Sequence, residues 1–295
     1  MNICSTIPLS AEMVYNKGYE MIGGYLMSEK DVITKTKTPL TKSQLIDNFK
    51  RMGIASEDTL LVHSSLSNLG YVVGGSQTVI EALLEVVDKG TIVMPAHTGD
   101  NSNPEDFENP PLPHKSWNKI YKENIPAFNK ETSIPRGMGK IALNFLMLKD
   151  TLRSNHPVVS FSAYGKDAEY ITADQPLSPM FGLDSPIGRI YRSGGKILML
   201  GTDFSSCSSL HLSEYLTKKL PTTLEETAVK KDGERHWIKY EDYEYDEDDF
   251  DIIGNRLKEN HFVKTYKIGL GEAQIMDLKK AVDTAKSLII KTRNL

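Results

Sequence analysis

His211 is the residue whose surroundings most suggest chemistry. It stands in SSLHLSE, separated by one residue from the small-residue run SSCSS (205–209), where an amphipathic helix is expected to begin. A neutral imidazole can accept a proton near pH 7, and the backbone N–H groups of a helix N-terminus favour a developing negative charge beside it. Glu214 lies three residues on, on the same helical face, where it either orients the ring or is simply solvated. A histidine on such a helix is often structural, so residue type alone leaves both roles open. Cys207 is a second candidate nucleophile, but nothing around it in sequence lowers a thiol pKa.

Two further polar clusters follow apolar runs. They are His63-Ser64-Ser65-Leu66-Ser67 after TLLV and Ala96-His97-Thr98-Gly99-Asp100 after TIVMP; the segment from Thr202-Asp203 to His211 follows KILMLG in the same way. In open α/β sheets ligands bind outside the carboxyl ends of the strands, so the shared position is more informative than any one cluster. Serines after a strand commonly cap a turn. Their alternative use is to grip an elongated polar ligand, with the glycines of GYVVGG (70–75) allowing close approach to the main chain. The chain contains no Walker A sequence, no dinucleotide fingerprint, no His-Glu-x-x-His and no Gly-x-Ser-x-Gly. Cys4 and Cys207 are the only thiols, too few for a disulfide framework or a four-cysteine zinc site.

The elements that must position these clusters are legible as patterns. Thr41 with Gln44 forms a capping-box pattern opening a helix that Gly53 can end. TLLVH (59–63) reads as a buried strand, Ser76 is expected to cap a helix with Val79, Ile80, Leu83, Leu84 and Val87 on one face, and TIVMP (91–95) is the next strand after Gly90. Strand–helix–strand with short turns predicts a parallel βαβ unit. Residues 96–136 hold six prolines, a stretch long enough to imply binding. Beyond it the pattern predicts a helix near 138–148, a strand near 158–164, a helix opened by Ser185 and Pro186, the strand 196–201 and a helix near 208–219. After Pro221 come short charged strands, a strand at 262–268 and a helix from about 272.

The 295 residues carry 35 Lys+Arg and 39 Asp+Glu, a net charge of −4. Eight of the acidic residues lie in EDYEYDEDDFD (241–251), and without them the remainder sums to +4. No basic excess or stripe marks a nucleic-acid binder. No apolar run is long enough to span a membrane, and Glu12 and Glu20 interrupt any secretory leader, so no membrane partner is expected and the cytoplasm is the expected location. The acidic run is either a solvated face or, being interleaved with Tyr240, Tyr243, Tyr245 and Phe250, a surface for a polycationic small molecule.

HSSLSNLGYVVGG, GTIVMPAHTGD, NIPAFNKETSIPRGMG, RSNHPVVSF, FGLDSPIGRIY, KILMLGTD and SSLHLSE occur in the order seen in the aminoglycoside 3-N-acetyltransferase family, which the chain resembles from about residue 41 to about 292. The resemblance implies acetyl transfer from acetyl-coenzyme A to an amine, the 3-amino group of an aminoglycoside, without metal. It implies His211 as the catalytic base, Asp242 as the carboxylate that partners it with Glu241 beside it, Asp100 as a further acidic residue, and Ser208 in place of the usual threonine. Coenzyme A contacts are implied for Ser64, Ser65, Leu66, Ser67, Arg136, Met138 and Gly139. Leu143 and Leu146 stand where the family commonly has Glu and Arg, so the acceptor could be another amine, or the chain a coenzyme A-binding protein with little turnover.

The expected fold class is α/β: a mixed, partly parallel sheet flanked by helices, with a smaller C-terminal β/α subdomain packed on it. Residues 1–38 are expected as an N-terminal arm and 39–295 as a single acetyltransferase domain, with a subdomain edge near 221 and homo-oligomerisation left open.

Overall fold

Leu60–Val62, Ile92–Met94 and Ile197–Leu200 are apolar without alternation, the mark of strands covered on both faces. In the computed structural model these runs become the centre of a sheet. The structure describes residues 20–22, 25–108 and 110–295, with side chains from residue 28 onward; Cys4, Glu12 and much of the arm expected over 1–38 lie outside the described residues.

The strands are β1 (Glu20–Ile22), β2 (Tyr25–Met27), β3 (Thr59–Ser64), β4 (Thr91–Pro95), β5 (Leu152–Arg153), β6 (Phe161–Gly165), β7 (Lys196–Leu200), β8 (Thr222–Lys231), β9 (Glu234–Tyr243), β10 (Lys264–Ile268) and β11 (Gly271–Asp277). The helices are α1 (Glu29–Lys35), α2 (Lys42–Arg51), α3 (Gly75–Val86), α4 (Trp117–Asn124), α5 (Gly139–Leu146), α6 (Ala168–Thr172), α7 (Pro186–Ser193), α8 (Ser209–Thr217), α9 (Phe250–Glu259) and α10 (Leu278–Thr292). Seven strands form one sheet in the order β10-β11-β7-β3-β4-β6-β5. β3 runs parallel to both β4 and β7, and the outer pairings are antiparallel.

Successive side chains serve opposite core layers. Leu61, Val93, Ile197 and Met199 pack with the residues of α7, α8, α9 and α10, whereas Leu60, Val62, Ile92, Met94, Leu198 and Leu200 pack with those of α2, α3 and α5. Because β3, β4 and β7 are parallel, their carboxyl ends meet at one edge, bringing His63-Ser64, His97 and the approach to α8 together.

Local signals behave as their chemistry dictates in several places. Thr41 and Gln44 form a reciprocal capping box, and Ser185 accepts the Gly188 N–H ahead of Pro186 at the first turn of α7. Two expectations need correction. Ser76 is not a cap: Gly74, at φ 81°, starts α3 in the left-handed region that favours glycine, and the Ser76 hydroxyl instead accepts from Asn144 Nδ2 at 2.6 Å. The segment from 272 is not yet helical, since it completes β11 against β7, and α10 begins only where Asp277 caps the Lys280 N–H.

The chain after Pro221 divides. β8 and β9 form a separate two-stranded hairpin, tied to the long 96–136 segment by Asn101, which bonds the Ala228 carbonyl and N–H. β10 and β11 return to the main sheet. The Pro-rich segment includes α4 and is pinned by buried Arg153, which donates to the Ala96 and Ser133 carbonyls at 2.7 and 2.5 Å.

His156 illustrates a purely structural imidazole: its Nδ1 accepts from the Val158 and Val159 amides, and its Nε2 faces the Leu177 carbonyl at 3.2 Å. Burial pushes His63 and His156 down to about 4 and His97 to about 3. An unfolded chain would protonate these rings near the usual ~6.5. The folded state therefore binds fewer protons below that value, so its stability is complete above about pH 7 and falls as the pH drops toward 4. Each ring contributes up to about 1.4 kcal/mol per pH unit. Urea midpoints measured at about pH 7.5 and about pH 5.5 should show a clear loss at the lower value; equal midpoints would refute the neutral-imidazole account.

Candidate active site

Gly201, directly after β7, has φ 72°, and any Cβ there would sit 2.7 Å from the Ser65 carbonyl. That close approach seats the chain leaving β7 against the turn that follows β3. A single 3-10 turn, Phe204–Ser206, then leads into α8, whose first turn carries His211. His211 faces a cleft of about 470 Å³ with His63, Ser64, His97, Met138, Phe181, Ser208, Glu225, Tyr245 and Glu247 among its walls.

The imidazole is closely held. Phe181 stacks on it at 4.5 Å, with Phe250 and Tyr245 at 4.8 and 5.5 Å. Its Nδ1 lies 2.6 Å from Glu214 Oε2, and Glu214 is fully buried. A carboxylate only accepts, so Nδ1 is the donor to Glu214, and Nε2, 4.0 Å from the exposed Glu247, is the atom on which a neutral ring carries its lone pair. Glu214 Oε1 accepts from Arg293 and the Asp246 amide at 2.5 and 3.1 Å. Arg293 also grips Asp249 through two nitrogens. Burial opposes the charge on Arg293, but its bonds to Asp249 and Glu214 overcome that and hold the guanidinium above its ordinary range.

Asp242 does not partner His211. It is buried at the end of β9, where it accepts from Ser178 Oγ and from the Met180 and Tyr243 amides at 3.1, 2.9 and 2.8 Å. Burial raises its pKa, and those bonds work in the opposite direction. It therefore shapes the turn that presents Phe181, one residue beyond Met180, to the imidazole. The spacing could not separate the two carboxylates, because the choice depends on which strand edge faces α8. Glu241, its neighbour, accepts from Thr222 Oγ1 across the hairpin.

Asp100 and Arg136, expected in different roles, pair with each other at the surface, and neither lines the cleft. The Arg136 amide also bonds the His97 carbonyl at 3.0 Å. Ser208 lines the cleft at the head of α8, and its side chain makes no cap bond. Cys207 is buried, and burial raises its thiol to about 12, which makes it a poor nucleophile.

The residues expected to contact coenzyme A divide between two cavities. Ser64 and Met138 face the His211 cleft. Leu66 and Ser67 line a second cavity of about 260 Å³ with Gly70, Gly74, Gly75 and Lys140. Ser65 lies between them, its amide bonded to the Leu200 carbonyl at 2.9 Å, and Gly139 opens α5 at φ 75° beside the Ser64 carbonyl. Leu143 and Leu146 line neither cavity; with Ile134 and Met147 they border a separate apolar groove.

The family model described as aminoglycoside 3-N-acetyltransferase matches residues 61–289. The chain belongs to the aminoglycoside 3-N-acetyltransferase family. It is an acyltransferase of a family that uses acetyl-coenzyme A as co-substrate. It is similar to the SPbeta prophage-derived aminoglycoside N(3')-acetyltransferase-like protein YokD of Bacillus subtilis (strain 168), at 36% identity over 263 residues, covering 88% of this chain and 96% of that protein. The YokD crystal structure superposes with a TM-score of 0.86 at 35% identity, covering 90% of this chain and 98% of that one. Aminoglycoside N(3)-acetyltransferase VII of Streptomyces paromomycinus is 28% identical over 274 residues, or 87% of this chain and 94% of that enzyme. AAC-IIIb, solved as a binary complex with CoASH, shares the fold at a TM-score of 0.75 and 24% identity, covering 86% of this chain and 98% of that one.

For this acetyltransferase, several wall residues had no individual signal in sequence. Arg293 reaches Glu214 from 79 positions away, and Phe181, Glu225 and Glu247 enter the cleft from three different segments. Among the described residues no cluster of metal-ligating side chains occurs and no helix is long and apolar enough to cross a membrane. Arg293→Met leaves a buried carboxylate short of its cation and should cost about 3 kcal/mol in urea unfolding. An unchanged midpoint would show that Glu214 does not depend on that pair.

Proposed function

We propose that the chain transfers the acetyl group of acetyl-coenzyme A directly to an amine of a polycationic acceptor, the 3-amino group of an aminoglycoside, with His211 as general base. The observation that carries this reading is the 2.6 Å contact between His211 Nδ1 and Glu214, which leaves Nε2 as the basic atom facing the cleft. Asp242 acts through the Met180–Phe181 turn and not on the ring.

The neutral amine attacks the thioester carbonyl carbon while His211 Nε2 takes its proton, and the carbonyl π pair moves onto oxygen. Collapse of the tetrahedral intermediate breaks the C–S bond, and the departing thiolate takes the proton from the imidazolium. Glu214 stabilises that imidazolium while keeping its own carboxylate bonded to Arg293. Ser208, beside the start of α8, supports the developing oxyanion. Buried Cys207 has no part in the transfer.

Coenzyme A would cross the seam between the two cavities, which the segments 64–67 and 138–140 both border. A polyanion suits that path, since Lys140 and the open main chain at Gly75, free of neighbouring atoms within 4 Å of a Cβ position, favour phosphate. Arg136 and Asp100 pair with each other at the surface, outside the cleft lining, with the Arg136 amide on the His97 carbonyl. Glu225 and Glu247 provide the acidic side of the cleft for a cationic acceptor. The cytoplasm, where acetyl-coenzyme A is available, is the setting this reading implies.

His211→Ala should lower thiol release from acetyl-coenzyme A at least 100-fold across a panel of aminoglycosides and other amines, while coenzyme A binding by calorimetry stays within about twofold. Undiminished turnover would remove His211 as the base, and a best acceptor that is not an aminoglycoside would redirect the substrate assignment. Raising ionic strength should increase the acceptor KM more than that for acetyl-coenzyme A, because exposed carboxylates attract the acceptor through screened charges. An acceptor KM insensitive to salt would argue against an electrostatic acceptor side.

A further inference from the structure

The cleft holds two imidazoles that the transfer chemistry leaves without a task. His63 is only 3% exposed, yet its Nε2 is buried with no hydrogen-bond partner, and the Nε2 of His97 is in the same condition. Both rings line the cleft. Buried ring nitrogens are ordinarily paired, and this protein does pair them where an imidazole is structural: both nitrogens of His156 meet backbone groups. His63 sits in the same side-chain row as Leu61, which packs with the α8 layer, and its strand continues into Ser64 on the same cleft wall. His97 is held edge-on by Phe161 at 5.1 Å and lies 6.2 Å from Phe181, the ring stacked on His211. Two buried, unpartnered nitrogens thus belong to rings that line the cleft where parallel strands converge on the base.

We propose that His63 is a further catalytic residue, whose Nε2–H donates a hydrogen bond to the acyl oxygen of acetyl-coenzyme A and holds it as negative charge develops there. This rests on the acetyl-transfer reading above. An acyl oxygen can only accept, so the ring must present a donor, and the neutral imidazole that burial enforces has one N–H to give. Neutrality also suits the site: a cationic ring here would repel a polycationic acceptor. No bond to hydrogen breaks at His63. The proton stays on Nε2 while the carbonyl pair moves onto oxygen and returns as the C–S bond breaks, and the amine proton travels only through His211. A donor already in place, in a site shielded from water, stabilises the oxyanion without reorganisation at the moment of reaction.

The test compares His63→Phe with His63→Gln. His63→Phe should lower kcat for thiol release about 100- to 1,000-fold. Coenzyme A, which lacks the acyl oxygen, should bind within about twofold of the unaltered chain, and His63→Gln, which keeps an N–H donor, should recover part of the rate. A kcat within threefold of the unaltered chain, or coenzyme A affinity falling in step with kcat, would overturn the proposal. Should the phenylalanine variant fail to fold, ¹⁵N resonances of the imidazoles in the unaltered chain decide the matter. The His63 Nε2 signal should move with acetonyl-coenzyme A, which keeps the carbonyl, and not with coenzyme A; movement with both or with neither overturns it. Absence of thiol release by the unaltered chain with every amine is a failure of the acetyl-transfer reading, and the resonance arm still reports whether His63 meets the acyl oxygen.

Discussion

A carboxylate buried without water has to be compensated, and Glu214 is fully buried beside the cleft. Its compensation comes from three directions: His211 on its own helix, the Asp246 amide in the acidic loop, and Arg293 just beyond α10. Removing one partner from such a group costs several kcal/mol, because the remaining charge stays desolvated. The orientation of one imidazole is thereby made a condition of the fold. The last turn of the chain, the loop before α9 and the first turn of α8 must all be in place for Glu214 to be satisfied, and His211 Nε2 is then aimed into the cleft.

The same economy governs the acidic segment. Much of 241–251 serves structure: Asp242 holds the turn before Phe181, Asp249 shares Arg293 with Glu214, and Asp251 accepts from the Ser205 amide at 3.0 Å. Only part of the charge is left for a ligand. Glu247 stands at the mouth of the cleft, and Glu225, raised by burial and by nearby Asp106 and Asp242, enters it from β8. The uneven charge distribution thus divides into carboxylates that brace the site and carboxylates that face what enters it.

How far the site was legible depended on the range of the interactions involved. Thr41 with Gln44, and Ser185 with Pro186, act over three or four residues, so their helix starts follow from local chemistry. The central strands were visible as unbroken apolar runs. Ser76 misleads because Gly74 can enter the left-handed region and start α3 earlier, which frees the hydroxyl for Asn144. Residues 271–277 mislead because Glu272, Ala273, Gln274 and Met276 are all good helix formers, and pairing with β10 and β7 overrides that local preference. The resemblance to a known family named His211, but it could not place Asp242, whose bonds go to a turn some sixty positions earlier.

By itself the sequence determined the alternation of elements, the doubly covered central strands, and a histidine at the head of a helix after a strand. Those features rest on backbone preference and hydrophobic period, which act between near neighbours. Only the tertiary structure decided that Glu214 and not Asp242 holds the ring, that Asp100 and Arg136 engage each other at the surface, and that His63 and His97, each with a buried, unpaired Nε2, line the same cleft. Each of those outcomes depends on burial and on partners distant in the chain. Burial and distant contacts come into being only when the strands have assembled and water has been excluded from between them.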